Sequence, residues 1–280
     1  MTKKVLITGG FGFIGEHLVD YLTRRSDITV KKLPYSIDIL DRDKLHKVFV
    51  DFQPNVVVHA AAFVSSVLCE FAGRKLATKV NVEGTENIAK LSNKLGSKLI
   101  YLGSTASYKP VNKLITELTP SKPTTIYGKT KYEGEKMVSE IADDWLILRL
   151  AYVFGPNDHT SNVSALITGW REKRVVILHA DPKAKKDYLY IDDCVKGLSF
   201  AIEKDLSGFY NISRQDPRKV FQIIAYLKEK GITPTFYLRP EKDYLGTHTV
   251  SSKKFRDATG WNPKITVEKG IDLCLSTARR

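Results

Sequence analysis

No apolar run in this 280-residue sequence approaches the roughly 18 residues of a membrane-spanning helix, so a helical membrane protein is excluded. The strand-like "KKVLIT" begins at residue 3 and leaves no room for a signal peptide, so a cytoplasmic protein is expected. Cysteine is scarce. Cys69, Cys194 and Cys274 are odd in number, lie far apart and match no metal-ligand spacing. They read as reduced thiols, and no metal is expected. Internal repeats and a flexible interdomain linker are missing. So are arginine-rich tracts and nucleic-acid-binding signatures, despite a net charge of +13. The basic residues fall in short clusters such as "REKR" (171–174) and "KAKK" (183–186). Most read as solvated surface, with one or two left for an anionic ligand.

What is present is an alternation. "VLIT" (5–8), "ITV" (28–30), "VVVHA" (56–60), "LIYLG" (99–103) and "WLILRL" (145–150) are short and apolar on both faces, as buried parallel strands are. Helical patterns separate them at about 13–25, 43–52, 73–95 and 125–142. The alternation predicts an α/β protein with a Rossmann-type doubly wound parallel sheet. Residues 1–153 form the larger part in this reading, with 187–205 packing back on it, and are the part expected to hold whatever ligand the strand ends bind. Residues 154–186 and 206–280 form a smaller C-terminal α/β lobe for substrate.

"ITGGFGFIG" (7–15) follows the first strand and opens a helix. Gly9 suits a tight turn, Gly12 a close approach of backbone to pyrophosphate, and Gly15 close helix–strand contact. The helix N-terminus, with Phe13 and Ile14, adds free N–H groups and a positive dipole end. In this strand–turn–helix context the pattern predicts a dinucleotide. The second strand lacks the usual acidic residue for the adenosine ribose. It carries Lys31 and Lys32 instead, which attract a 2′-phosphate, so NAD or NADP is expected with a lean to NADP. Asp38 and Ile39, before the second helix, suit the adenine edge.

"TIYGKTKYEGEK" (125–136) places Tyr127 and Lys131 one helical turn apart on one face. A phenol with a pKa near 10 needs a shift of roughly three units to act as a base at pH 7, and a nearby cation favours the phenolate. Lys131 is expected to supply that cation and to hold a ribose hydroxyl. A second such pair, Tyr132 and Lys136, reads as solvated surface. "YLGSTASY" (101–108) brings Ser104 and Thr105 to the end of the fourth strand, where ligands bind in such sheets.

With these pieces in this order, the sequence resembles the extended short-chain dehydrogenase/reductases, the nucleotide-sugar epimerase/dehydratase group. The matching stretches include "TGGFGFIG" (8–15), "VVVHAAA" (56–62), "VNVEGTENI" (80–88), "YGKTK" (127–131), "LRLAYVFGP" (148–156), "KDYLYIDD" (186–193) and "RPEKDY…GWNPKITVEKGI" (239–271). The resemblance implies that Tyr127 is the general acid/base, Lys131 its electrostatic partner and Ser104 the alcohol-orienting hydroxyl, with Thr105 as the fallback. It implies that Ala60, Ala61 and Ala62 line the cofactor ribose. In the second lobe it implies a nucleoside-diphosphate sugar clamped by Arg239, with Lys186 standing where the family often has another arginine. Asn162 would touch phosphate or sugar, or serve as a loop cap. A homodimer that binds neither nucleic acid nor membrane is expected.

Departures from the family narrow the implied reaction. The Asp–Glu that dehydratases carry after the catalytic hydroxyl is missing, since Thr105, Ala106 and Ser107 follow Ser104. The cysteine and histidine of two-base C3/C5 epimerisation are missing at Ala106 and Val163, with His159 near the second position. What remains is a 4-epimerase or a 4-keto-6-deoxysugar nucleotide reductase. A non-catalytic NAD(P)-binding regulator or an RNA-associated relative is the reading of a different class.

Overall fold

The computed structural model describes residues 2–64, 69, 73–111, 113–240 and 247–277. Strands β1 (Lys3–Thr8), β2 (Ile28–Lys32), β3 (Val56–His59) and β4 (Lys98–Ser104) come first, and a short β5 (Leu114–Ile115) precedes β6 (Trp145–Leu150). After them come β7 (Tyr152–Phe154), β8 (Val176–Leu178), β9 (Lys185–Tyr190), β10 (Gly208–Ile212), β11 (Pro217–Lys219), β12 (Phe236–Leu238) and β13 (Thr249–Val250). Six of them form one parallel sheet in the order β2-β1-β3-β4-β6-β10. The chain therefore winds to one side of β1 first and then to the other. That reversal opens a crevice beyond the C-terminal ends of β1 and β3.

Helices α1 (Phe13–Leu22), α2 (Arg42–Phe52), α3 (Arg74–Thr78), α4 (Thr85–Lys94), α5 (Ile126–Ile141), α6 (Asn162–Arg171) and α7 (Ile191–Glu203) connect or cover the strands. Side chains of a strand alternate between faces, and here both faces are apolar. Val5, Ile7, Val56, Val58, Ile100 and Leu102 pack on one side with Leu18 and Leu22 of α1 and Val195 and Leu198 of α7. Leu6, Val57, Leu99 and Tyr101 pack on the other with Leu45 and Phe49 of α2, Ile88 of α4 and Val138 of α5. The smaller sheets, β11-β9-β7, β12-β8 and β13-β5, lie beyond β6 in sequence or pair with segments that do.

One expected helix is interrupted. The stretch 73–95 contains a π-helical segment, Lys79–Gly84, between α3 and α4. Asn81, buried there, explains the break. Its side-chain oxygen accepts from the Phe63 N–H at 2.7 Å, and its amide donates to the Phe63 carbonyl at 3.1 Å and to Thr130 Oγ1 at 3.0 Å. The widened turn turns this amide to the loop after β3 and to α5, a common use of π-bulges. Among the described residues, no helix is long and apolar enough to cross a membrane.

Candidate active site

The crevice at the strand ends is a cleft of about 770 Å³. The turn from β1 into α1 forms its floor. Gly9 has φ +67°, a left-handed conformation that favours glycine, and a Cβ there would lie 2.5 Å from the Ala61 nitrogen. A Cβ on Gly15 would run into the Gly9 carbonyl oxygen, so that glycine lets the first turn of α1 sit directly on the loop. Gly12 caps α1 without a side-chain hydrogen bond. The first N–H groups of the helix thus face the cleft unclaimed by a capping side chain, as an anion site requires. Phe13, Ile14, Ala60, Ala61, Ala62, Asp38 and Ile39 also line the cleft. This cradle and its apolar walls fit a dinucleotide. Asp38 accepts from the Leu40 N–H at 2.9 Å.

The two lysines of β2 part company. Lys31 lays its ammonium over Phe52, 5.4 Å from the ring centroid, and does not line the cleft. Lys32 lies over Phe11, 4.6 Å from the centroid, against Gly10 of the glycine loop, and is likewise outside the cleft lining. Alternation along the strand puts neighbouring side chains on opposite faces.

At the other end of the cleft, Thr125 caps α5 by accepting the Gly128 N–H at 2.8 Å, and Tyr127 and Lys131 follow on the inner face. Ser104, Thr105, Tyr127 and Lys131 all line the cleft. The Ser104 side chain is the neighbour that pulls the Tyr127 phenol back toward its ordinary value. Its oxygen also accepts the Ala106 N–H at 3.1 Å. Thr105 is buried in the short turn that follows.

The electrostatics run against the sequence expectation. Burial pushes the Tyr127 phenol up to about 12, with the Ser104 hydrogen bond pulling it back. Burial pushes the Lys131 ammonium down to about 7, with the Glu135 carboxylate raising it. Lys131 is 3% exposed and rests over the Tyr101 ring, 4.1 Å from its centroid. Desolvation penalises the charged form of both groups and is the largest cause in each. The phenol is therefore a proton donor at neutral pH.

Beyond Ser104 the cleft reaches residues of the later chain: Tyr152, Thr160, Lys186 and His248. Lys186 and His248 are bridged backbone to backbone between β9 and the approach to β13. Lys186 lines the cleft. Arg239 does not: it is exposed, its N–H donates to the Leu178 carbonyl at 2.8 Å, and it lies outside the cleft lining. Asn162 is the first residue of α6, and the cap is Ser161; Thr160 reaches the cleft instead. His159 is exposed and outside the lining. His248, Thr160 and Tyr152 were not legible as site residues, because each lies in a loop or on a late strand whose approach to the cleft is set by tertiary packing. Among the described residues no group of His, Cys, Asp and Glu is placed to hold a metal.

Comparison with known proteins fits this geometry. The NAD dependent epimerase/dehydratase family matches residues 5–213. The chain is 32% identical to bovine methionine adenosyltransferase 2 subunit beta over 266 residues, which is 86% of this chain and 76% of the bovine one. A UDP-glucose 4-epimerase of Thermotoga maritima, solved with UDP-glucose, superposes with a TM-score of 0.87 at 25% identity, covering 97% of each chain. A dTDP-4-dehydrorhamnose reductase of Bacillus anthracis, solved with NADP, shares the fold at a TM-score of 0.85 and 21% identity, covering 98% of this chain and 99% of the other.

Proposed function

The chain belongs to the NAD dependent epimerase/dehydratase family, and on that footing we propose that it is an NAD(P)-dependent enzyme acting by hydride transfer at C4 of a nucleoside-diphosphate sugar. One observation carries the reading. The Ser104–Tyr127 pair, with Lys131 a turn further on, closes the same cleft that the glycine turn opens. Bound in the cradle, the nicotinamide would supply or accept the hydride. The chain's own residues handle the proton. Ser104 orients a sugar hydroxyl or carbonyl, and Tyr127 gives a proton to a carbonyl oxygen or takes one from a hydroxyl. Lys186 and His248, at the far end, are the candidates for the sugar nucleotide's phosphates, in place of Arg239. The likeness to the Thermotoga UDP-glucose 4-epimerase favours the epimerase form, in which the hydride returns and no cofactor is consumed. A 4-keto-6-deoxysugar reductase would oxidise one NADPH per product.

The test is Tyr127→Phe in a screen of nucleotide sugars. The variant is expected to bind NAD(P)H as the wild type does and to lose turnover by roughly a hundredfold or more, since acid–base groups contribute about 10²–10⁴. Unchanged turnover overturns the reading. For the cofactor we propose NADPH over NADH, with Lys32 as the contact to the 2′-phosphate, since it lies beside the glycine loop. Lys32→Ala is expected to weaken NADPH about tenfold and leave NADH unchanged by calorimetry, the size of one hydrogen bond to a charged group. Equal weakening of both would remove Lys32 from that role.

A second reading is favoured by the 32% identity to a protein named as a subunit of another enzyme. In it the cleft binds a dinucleotide and the chain serves an enzyme partner without turnover of its own. Cofactor binding with no product from any nucleotide sugar, in wild type and Tyr127→Phe alike, is the result it expects.

A further inference from the structure

The helix that carries Tyr127 and Lys131 presents a third titratable side chain one turn further along the same face. Glu135 has a side-chain exposure of 1%. A carboxylate that deep requires partners. Arg149 of β6 supplies them: Nε donates to both carboxylate oxygens at 3.1 Å, and Nη2 to Oε2 at 2.6 Å. The Ser107 hydroxyl donates to Oε1 at 2.9 Å. Gly103, immediately before Ser104, leaves the room for that oxygen, because a Cβ there would lie 2.9 Å from it. Arg149 is itself held, 4.4 Å from the Tyr108 ring centroid and donating to Ser121 Oγ at 2.8 Å. One carboxylate thus touches the strand end that bears Ser104, the turn after it, the neighbouring strand and the helix of Tyr127.

The surroundings of Lys131 show what else that carboxylate does. Tyr127 and Glu135 face it from α5, the Tyr101 ring from β4, His59 from β3, and Arg149 stands behind Glu135 on β6. Cys69 acts on the Tyr127 side. His59 is neutral: burial pushes it down to about 3, and the nearby Lys131 lowers it further. It bridges Thr8 at 2.6 Å and Thr85 at 3.0 Å. Glu135 is the acidic side chain in this set.

We propose that Glu135 is a positioning residue of the active centre: its carboxylate, anchored by Arg149 and Ser107, is the counter-charge that favours the ammonium form of Lys131 and the strut that holds Ser104 in register with Tyr127. This rests on the reading of Tyr127 and Lys131 as the acid–base centre. Burial alone would leave Lys131 neutral, and Glu135 opposes it. Glu135 is the charged group that acts on Lys131.

The counter-charge is tested by the titration of Lys131 in the intact protein, followed by NMR of ¹³C-labelled lysine, with the signal identified by its loss in Lys131→Arg. Glu135→Gln is expected to lower the midpoint by about one pH unit or more, the low end of the effect of an opposite charge within roughly 4–6 Å. That variant strands a buried guanidinium and risks the fold, so Glu135→Gln/Arg149→Met is measured beside it. The double variant is expected to lower the midpoint too, because of the two lost charges the carboxylate is the one that acts on Lys131. An unchanged midpoint in either folded variant overturns the counter-charge. The strut is tested by Ser107→Ala, which keeps both charges. It is expected to leave the Lys131 midpoint in place and to lower kcat severalfold at constant KM, and an unchanged kcat overturns the strut. The titration needs no turnover. Failure of the acid–base reading in Tyr127→Phe therefore shows separately from failure of this inference.

Discussion

Lys131 is held where an ammonium is least at ease. Its folded value of about 7 lies below the ordinary 10.5, so the folded state binds this proton more weakly than the unfolded chain does. The fold therefore loses stability as pH falls from about 10.5 to about 7, and below that the penalty is complete. At 1.36 kcal/mol per pKa unit the shift corresponds to about 5 kcal/mol. Lys131→Met fits the same volume without the charge. We expect it to raise the unfolding free energy at pH 7 by a few kcal/mol in urea denaturation and to abolish turnover, the usual opposition between stability and activity at a functional residue. A destabilised Lys131→Met would mean that the contact of the ammonium with Tyr101 outweighs its desolvation. The spacing of Tyr127 and Lys131 was legible in the sequence and their charge states were not. An i, i+4 pattern gives proximity, but only packing gives burial, and burial reverses the direction expected for Tyr127.

At the scale of elements, α1 shows how tightly a helix can be tied to the strand before it. The Gly9 carbonyl occupies the space where a side chain at Gly15 would start. Gly15→Ala must push the first turn of α1 off the loop. We expect a loss of about 1–3 kcal/mol in thermal or urea unfolding, the range of overpacking. We expect a larger loss in dinucleotide affinity, because the N–H groups that face the cleft move with the turn. Affinity retained by calorimetry would place the pyrophosphate elsewhere. Elements of this kind were the readable part. Apolar runs of four to seven residues announced β1, β3, β4 and β6, and the glycine spacing announced the turn. The π segment at Lys79–Gly84 was not readable, since it depends on a side chain, Asn81, bonding to a loop and a helix distant in sequence. Arg239 misled for a related reason: a motif names a residue, but which residue enters the cleft depends on how β9 and β13 approach each other. There the chain brings Lys186 and His248.

For the molecule as a whole, a net charge of +13 surrounds a cleft that we propose takes anionic ligands. Long-range attraction of this kind acts on encounter and falls with ionic strength, with a Debye length of about 8 Å at 0.15 M. Lys186, 4% exposed at the cleft end, is less screened than the surface lysines. We expect Lys186→Ala to weaken binding of a UDP-sugar about tenfold in equilibrium titration, to leave NAD(P)H affinity unchanged, and to retain most of the salt dependence of the association rate. Parallel losses for sugar nucleotide and cofactor would place Lys186 at the dinucleotide instead.

The order of strands in the main sheet also bears on how the chain folds as it is made. After β1 and β2 have paired, β3 adds beside β1, β4 beside β3, β6 beside β4 and β10 beside β6. From β4 onward, each strand leaving the ribosome finds the edge laid down just before it. β2 stays at one edge of the sheet, and the other, growing edge is covered by the next strand of the same chain. A chain stalled before β6 is translated leaves the edge of β4 bare, with Ile100 and Leu102 and the unfinished strand end of Ser104 exposed. Translation rate, rather than a search among alternative pairings, then sets how long that edge stays open to other molecules.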